Sequence, residues 1–442
     1  MKEIRNLSFL LAALLLLLPL SGCGEKAAAL DDLKPTDELV LYLPQELEFY
    51  ITNDYIVPYR DLYGAEVRVK MVVVPGDEDA YAERVVNDVL AGEGPDILFL
   101  NYLPNMDVEK AARNHSFYDL TDLLASDPDF SEDDYVNGVF DVMRIDGRLY
   151  TVPISYRAPV YLSDGEKLGG LDFRWDGIET TADFMEEMAR LTPIAAQRYE
   201  AFRQMMESQN RFFELFRASG VRLLDYGTGT VLPDETAFCD FFRGYRAYFP
   251  YDYNASGERE GSNSRSEELM RGDMLFFSAN HFHGNLIWDV NEMKEASHAP
   301  VFTTIPSQTG EAVGQIYTQF AVNAVSKNVR NAYNFIKLLL SEEVQTSTQF
   351  NVLMKDVPVC KNAIRNIVYG TSPAYPPNLF FTEEEKAALY EQFAGMGRFT
   401  VKPSDIVYDM MWDAMLPYLQ DEKSCEDCIA ELRNKLTFYL SE

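Results

Sequence analysis

Short apolar runs alternate with helically spaced apolar positions from about residue 38 onward. Residues 39–43 and 67–74 have the length and β-branched content of buried strands, and residues 97–100 form a third apolar run. Between the second and third runs, Tyr81, Val85 and Val89 recur at the spacing of one helical face. Strand, helix and strand joined by short connections predict an α/β domain, with a sheet flanked by helices.

The N-terminus has a different pattern. Lys2 and Arg5 precede an unbroken apolar run at 9–18, and Leu-Ser-Gly follows immediately before Cys23. This run is too short to span a membrane, so residues 1–22 are predicted to be an export signal. The tetrad resembles the bacterial lipobox, which implies cleavage before Cys23, lipidation of Cys23 and anchoring to the cell membrane, facing outside the cytoplasm. The alternative is an ordinary signal peptide with an incidental cysteine. The small and charged residues 23–37 would form the tether.

Composition narrows the class of protein. The chain has 442 residues, 47% of them hydrophobic, enough for two or three domain-sized cores, and its formal net charge of −31 disfavours nucleic acid as a partner. Apart from Cys23, the cysteines are too sparse for a disulfide scaffold. The four others are Cys239, Cys360, Cys425 and Cys428. Cys425 and Cys428 are spaced i,i+3 in a predicted C-terminal helix, where we interpret them as small helix residues rather than zinc ligands.

Six segments, in order, carry a family resemblance. They are Gly94-Pro-Asp-Ile97, residues 117–124, Asp146-Gly-Arg-Leu-Tyr-Thr-Val-Pro153, residues 324–336, Val357-Pro-Val359 and residues 422–432. Together they resemble the family 1 extracellular solute-binding proteins, the maltose-binding-protein-like receptors of ABC transporters. An aromatic-rich segment at 196–260 and an insert-like stretch at 368–382 depart from the family pattern. These departures leave the identity of the ligand undetermined, but they do not affect the fold that the resemblance implies.

The resemblance implies a two-lobed periplasmic-binding-protein (Venus flytrap) fold with ligand held between the lobes. The first lobe is expected to contain 38–153 plus 302–360, and the second 154–301 plus 361–442. The function implied is capture of a small-molecule ligand, a carbohydrate in most of the family, for the membrane permease subunits of an ABC importer. We expect a monomer that closes about its hinge and needs no cofactor.

Candidate ligand residues follow the predicted strands, because ligands of open α/β sheets bind beyond the carboxyl ends of strands. Aromatic faces stack on the C–H patches of sugars, and planar polar groups bind hydroxyls. For each aromatic, core packing is the alternative, and for Arg157 it is an interlobe salt bridge. The candidates are Gln45, Glu46, Asn101, Tyr102, Tyr156, Arg157, Asn280, Phe282, Tyr317, Tyr408 and Trp412.

Rival functions have weaker support in the sequence. The chain contains no Gly-x-Ser-x-Gly, phosphate-loop or Gly-x-Gly-x-x-Gly motif, so we do not expect an enzyme. His281 and His283, with His298 or an acidic residue, could form a metal site, an alternative we disfavour. A surface glycan-adhesion lipoprotein would share the anchor and the aromatics, but it would not need a closing hinge.

Overall fold

The computed structural model describes residues 29–34, 36–64, 67–206, 211–253, 264–280, 285–347, 356–371 and 381–441. The strands are β1 (Glu38–Pro44), β2 (Arg68–Val74), β3 (Ile97–Phe99), β4 (Arg144–Ile145), β5 (Arg148–Leu149), β6 (Thr151–Arg157), β7 (Val160–Asp164), β8 (Leu224–Asp225), β9 (Thr230–Val231), β10 (Phe277–Ser278), β11 (Pro300–Thr304), β12 (Gly314–Val322), β13 (Val357–Pro358) and β14 (Phe399–Val401).

The α-helices are numbered in chain order. They are α1 (Glu48–Tyr50), α2 (Val57–Tyr63), α3 (Glu78–Leu90), α4 (Val108–Arg113), α5 (Thr121–Ser126), α6 (Gly165–Gly170), α7 (Thr181–Arg198), α8 (Arg211–Ala218), α9 (Glu235–Tyr253), α10 (Arg265–Arg271), α11 (Asn285–Glu295), α12 (Val329–Leu340), α13 (Glu342–Thr346), α14 (Lys361–Tyr369), α15 (Glu383–Ala394), α16 (Asp405–Leu419) and α17 (Cys425–Ser441). Among the described helices, none has the length and apolar character needed to cross a bilayer.

The first lobe is built on a mixed sheet. β12 pairs antiparallel with β6 on one side, and with β3 and the parallel β14 on the other, while β13 pairs with the far edge of β6. β1 and β2 form a parallel pair that joins this sheet beside β3, where the Asp96 amide donates to the Val40 carbonyl. The four sequence segments predicted as strands and helix at 39–43, 67–74, 81–90 and 97–100 correspond to β1, β2, α3 and β3.

The second lobe has a smaller sheet, in which β7 lies between β10 and β11. Its core is helical and aromatic, and it is formed by α7, α8, α9, α16 and α17. α7 and α9 pack closely, because Gly244 of α9 lies directly against the backbone of Ala182 in α7. The aromatic segment at 196–260, which departs from the family pattern, therefore supplies much of the core of this lobe.

The chain crosses between the lobes from β6 to β7 and from β11 to β12. At the second crossing the pairing of β6 with β12 shifts register on both sides of Thr318. Such irregularities re-aim the side chains around them, here Tyr317. The predicted lobe boundaries stay a prediction. α14 packs against α13 and against β13 of the first-lobe sheet, and α15 packs against α14, which favours a third crossing near Phe399 instead of at residue 361.

Two local sequence features shape the backbone of the first lobe. Asp146 and Gly147 have φ of 52° and 79°, and they form the tight turn between β4 and β5. Pro58 lies in the first turn of α2, and the chain before it is a π-helix at Ile51–Ile56. Because proline cannot donate a backbone hydrogen bond inside a continuous α-helix, the helix is interrupted there.

Candidate functional site

A cavity of about 560 Å³ lies between the two lobes. Its first-lobe wall comes from α4 and the β4 turn, and its second-lobe wall comes from the end of α8 and the loop leading into β8. At its inner end lie Gln315 of β12, next to the second chain crossing, and the helix residues Arg217 and Tyr408. A cavity of this size between two lobes and beside their crossings is a suitable place for a small ligand.

An ionic cluster lies at the crossings. Arg157, the last residue of β6, donates from Nε to Asp356 Oδ1 at 2.9 Å, and its Nη1 lies 3.3 Å from Glu214 Oε1. Glu214 also pairs with Arg217 of the same helix, α8. Arg157 thus connects the first-lobe sheet to a second-lobe helix. This is the interlobe salt bridge that the sequence left open as the alternative role of Arg157.

Arg157 stays positively charged in this cluster. Burial opposes the guanidinium charge, but Asp356 and Glu214 outweigh it, so the pKa of Arg157 is raised above its usual value. Burial raises the pKa of Asp356, and Arg157 offsets this in part. In the described part of the chain, Arg217 Nη1 and Asp356 Oδ2 have no hydrogen-bond partner although both are buried. Since Arg217 lines the cavity, it retains a donor that could bind a ligand oxygen.

The six described cations that line the cavity each have a carboxylate partner. Arg113 pairs with both Glu109 and Asp146, at 2.9 and 2.8 Å. The others are Arg144 with Glu132, Arg217 with Glu214, Arg222 with Asp225, Arg398 with Glu311 and Lys402 with Asp405. The cavity wall is therefore rich in hydrogen-bonding groups but has its positive charges neutralised locally.

The lobes also meet at Asp107, the N-cap of α4. Its Oδ1 accepts from the amide of Lys110, and its Oδ2 accepts from the hydroxyls of Tyr226 and Tyr439 in the second lobe. Lys110 lies over the ring of Tyr439, with Nζ 3.9 Å from the centroid. Burial and the Asp107 carboxylate raise the pKa of both tyrosines, so their hydroxyls stay protonated donors.

Several predicted ligand residues gather in the first lobe, outside the lining of the cavity. Burial raises the pKa of Tyr102, and Glu46 and the hydroxyl of Tyr317 add to the effect, which places the three side chains near one another. Asn101 is next to Tyr102, and its Oδ1 is buried without a partner among the described residues. Tyr317 lies under Arg157, and Gln45 is exposed beside Glu46. At the inner end of the cavity, Tyr408 accepts a hydrogen bond from Gln315 Nε2 at 3.2 Å, and burial raises its pKa to about 12.

Three other candidates contribute to the fold and do not face the cavity. Tyr156 is fully buried in the first-lobe core, and its hydroxyl donates to the carbonyl of Phe393, so it presents no surface to a ligand here. Asn280 accepts from the Ala158 amide at 2.6 Å and thereby fixes the first crossing. Trp412 packs 4.7 Å from Phe212 in the aromatic core and does not line the cavity. Phe282 lies outside the described residues, as does Cys23.

Apart from Tyr408 and Arg157, sequence reasoning missed the residues around the cavity and the ionic cluster. Glu214 and Arg217 were not singled out, although two opposite charges three residues apart interrupt an otherwise apolar and aromatic run in α8. Asp107, Tyr226 and Asp356 carried no comparable signal, because they lie in loops and at helix termini that only the fold brings to the cleft.

The structure describes only part of the suggested metal site. His281 and His283 are outside the described residues. Within the described chain, metal-ligating side chains gather at Asp164, Glu166 and His298, where His298 Nδ1 lies 2.6 Å from Asp164 Oδ2. This group is on the second lobe and does not line the cavity between the lobes.

Comparison with known proteins identifies the family. Residues 57–377 match the model of the bacterial extracellular solute-binding proteins. The chain belongs to this family. The family consists of solute-binding proteins and places the chain outside the cytoplasm, and the resemblance inferred from the six sequence segments is confirmed. A search of curated protein sequences finds no significant match.

Solved structures of solute-binding proteins share the fold at low sequence identity. The sugar-binding protein MalE from Xanthomonas citri is 16% identical, with a TM-score of 0.64 over 91% of this chain and 97% of that one. The GacH receptor of Streptomyces glaucescens, determined in complex with acarbose, is 17% identical, with a TM-score of 0.57 over 92% and 100%. A solute-binding protein of Thermotoga lettingae, bound to α-D-tagatose, is 12% identical with a TM-score of 0.59, over 92% and 100%. The predicted two-lobed α/β fold is confirmed.

Proposed function

We propose that this solute-binding protein captures a neutral carbohydrate in the cavity between its lobes and delivers it to the permease subunits of an ABC importer. The chain acts as a monomeric receptor, without a cofactor or a catalytic step. The neighbours that bind acarbose or tagatose support a sugar, but at their low identity they bear on the fold more directly than on the ligand.

The observation that carries the proposal is the local pairing of every described cation in the cavity wall. An anionic solute would be recognised by arginines whose charge is free to act on the ligand. Here each guanidinium or ammonium group already has a carboxylate, while Arg217, which lines the cavity, keeps its Nη1 without a hydrogen-bond partner among the described residues. A neutral polyhydroxylated ligand needs hydrogen bonds and no net charge, and this wall supplies them.

Hinge closure supplies the signal to the importer in this proposal. Asp107 on one lobe and Tyr226 and Tyr439 on the other form contacts that exist only when the lobes are together. A ligand that contacts both walls would favour this state, because a ligand shifts a conformational equilibrium by its differential affinity for the two forms.

The lipid anchor is part of the proposal and rests on sequence. The Leu-Ser-Gly tripeptide before Cys23 follows a short apolar run, and residues 23–37 can act as a tether. An anchored receptor stays close to the importer in the membrane.

The first test is a thermal-shift screen of the chain from residue 24, which retains every described residue. The probes are neutral mono- and oligosaccharides, uronic acids, polyamines and divalent metal ions. A ligand at 100 times its dissociation constant adds about 2.7 kcal/mol to the free energy of unfolding and raises the melting temperature measurably. We expect hits among neutral sugars, and affinity that changes little between low and high salt.

The alternatives give different results. A response only to uronic acids, with strong salt dependence, would contradict a neutral ligand. A sugar hit without compaction in small-angle scattering would instead support a surface glycan-adhesion protein, which has no need of a hinge. Binding of metal ions alone would direct attention to the group at Asp164 and His298.

A further inference from the structure

Two of the cysteines face each other across a helix pair in the second lobe. Cys239 lies on α9 and Cys425 is the first residue of α17, and both are free and half-buried at the surface of the aromatic core. The thiol of Cys425 donates a hydrogen bond to the sulfur of Cys239. The other two cysteines, Cys360 and Cys428, are buried.

Ion pairs on either side of this contact hold the two segments together. Glu235, four residues before Cys239 on α9, pairs with Arg433 of α17. Arg246, seven residues after Cys239, pairs with Asp421 just before α17. The three α9 residues lie on one helical face, since they are separated by four and seven positions. Their partners run in the opposite order along the chain, so α9 and the Asp421-to-Arg433 segment run antiparallel, and Cys239 and Cys425 both lie between the two ion pairs.

We propose that Cys239 and Cys425 form a disulfide outside the cytoplasm, which ties the helix pair of the second lobe together. The family places the chain in a compartment where disulfides form and persist. Their partial exposure lets a small oxidant reach the pair, whereas Cys360 and Cys428 are shielded.

The reaction is a double thiol–disulfide exchange with an oxidant of the disulfide class, either a low-molecular-weight disulfide or the disulfide of a thiol oxidase. Cys239, as the acceptor of the thiol hydrogen bond, attacks as the thiolate. Its sulfur bonds to one sulfur of the oxidant and releases the other as a thiolate. Cys425 then loses its proton and attacks the Cys239 sulfur, which releases the second oxidant thiolate. The two protein thiols are oxidised, and their two protons pass to the two oxidant thiolates, so that the oxidant disulfide is reduced to two thiols.

The test uses the chain from residue 24 incubated with oxidised glutathione. Thiols that remain are alkylated, and a non-reducing digest is analysed by mass spectrometry. We expect one peptide linked through Cys239 and Cys425, with alkylation of Cys360 and Cys428. The same link is expected in Cys428→Ser and is lost in Cys239→Ser. A link between Cys425 and Cys428, or alkylation of all four thiols after oxidation, would overturn the proposal.

Melting temperature provides a second readout. Reduction is expected to lower the melting temperature of the oxidised wild type and of Cys428→Ser, because a cross-link restricts the unfolded chain. Cys239→Ser should melt at the same temperature with and without reductant. An equal response of Cys239→Ser to reductant would show that the disulfide lies elsewhere.

Discussion

Arg157 lies over the ring of Tyr317, with its guanidinium carbon 3.6 Å from the ring centroid. The two residues are on neighbouring strands, β6 and β12, and the register shift between Ile316 and Thr318 leaves Tyr317 outside the regular pairing. A guanidinium at this distance is held by the face of the ring as well as by its carboxylates. The stacked pair therefore fixes Arg157 at the point where the chain passes from one lobe to the other.

Arg157→Ala is expected to destabilise the protein by about 3 kcal/mol near pH 7, because it leaves Asp356 buried without its partner. Burial already raises the pKa of Asp356, and loss of Arg157 raises it further. In the variant the folded state then holds a proton that the unfolded state has released, so stability falls as pH rises. Urea unfolding should show a smaller deficit near pH 5 than near pH 7.

A matched variant separates charge from packing. Arg157→Ala combined with Asp356→Asn removes the uncompensated carboxylate and is expected to recover part of the loss near pH 7. An equal deficit at both pH values, and no recovery in the double variant, would show that Arg157 acts through packing alone.

Tyr226→Phe is expected to shift the receptor toward the open form. The variant removes a hydroxyl that donates to Asp107 across the lobes and keeps the ring. A hydrogen bond to a carboxylate contributes on the order of 1.5 kcal/mol, so affinity for the sugar found in the screen should fall by about tenfold. Calorimetry measures the affinity, and small-angle scattering without ligand should show a larger radius of gyration.

Tyr199→Phe is the control for this prediction. Its hydroxyl donates to the Lys167 carbonyl at 2.9 Å, within the second lobe. The same atom is removed without touching an interlobe contact, so neither affinity nor the radius of gyration should change. If the two variants behave alike, the Asp107 contact does not control closure.

The sequence predicted β1, β2, α3 and β3, since each is a continuous run of apolar or helically spaced residues whose pattern depends on local burial. It also proposed Tyr102, Arg157 and Tyr317 as ligand residues. That role stays a prediction, although the structure does bring Arg157 and Tyr317 into contact. It could not identify Asp107 or Asp356 as site residues, because their roles depend on contacts with residues more than a hundred positions away. Tyr156 was misleading for a related reason: in a strand buried on both faces, alternation no longer separates a core residue from a cleft residue.

Gly244→Ala is expected to destabilise the second lobe by about 1–3 kcal/mol. A Cβ at this position would lie 2.7 Å from the Cα of Ala182, so α7 and α9 would have to separate. Gly169→Ala in α6 is the control, because its Cβ would meet nothing within 4 Å. That variant should be stabilised by about 0.5–1 kcal/mol through helix propensity. Chemical denaturation measures both, and equal effects would contradict close packing at Gly244.

Asp289→Asn is expected to remove a pH dependence of stability that originates in α11. Burial raises the pKa of Asp289 to about 6, although Arg265 and a hydrogen bond from Ser266 lower it in part. Because the folded-state pKa exceeds the unfolded value, the native protein holds more protons between about pH 4 and pH 6, and its stability falls as pH rises through this window. The penalty near pH 7 is at most about 3 kcal/mol. Asparagine keeps the acceptor for Ser266 without the charge, so the stability of the variant should match that of the wild type near pH 4 and exceed it near pH 7.

The exposed carboxylate of Asp176 provides the control Asp176→Asn, which should leave the pH profile of thermal unfolding unchanged. A variant of Asp289 that loses stability equally at both pH values would mean that its carboxylate is charged and well paired in the folded state.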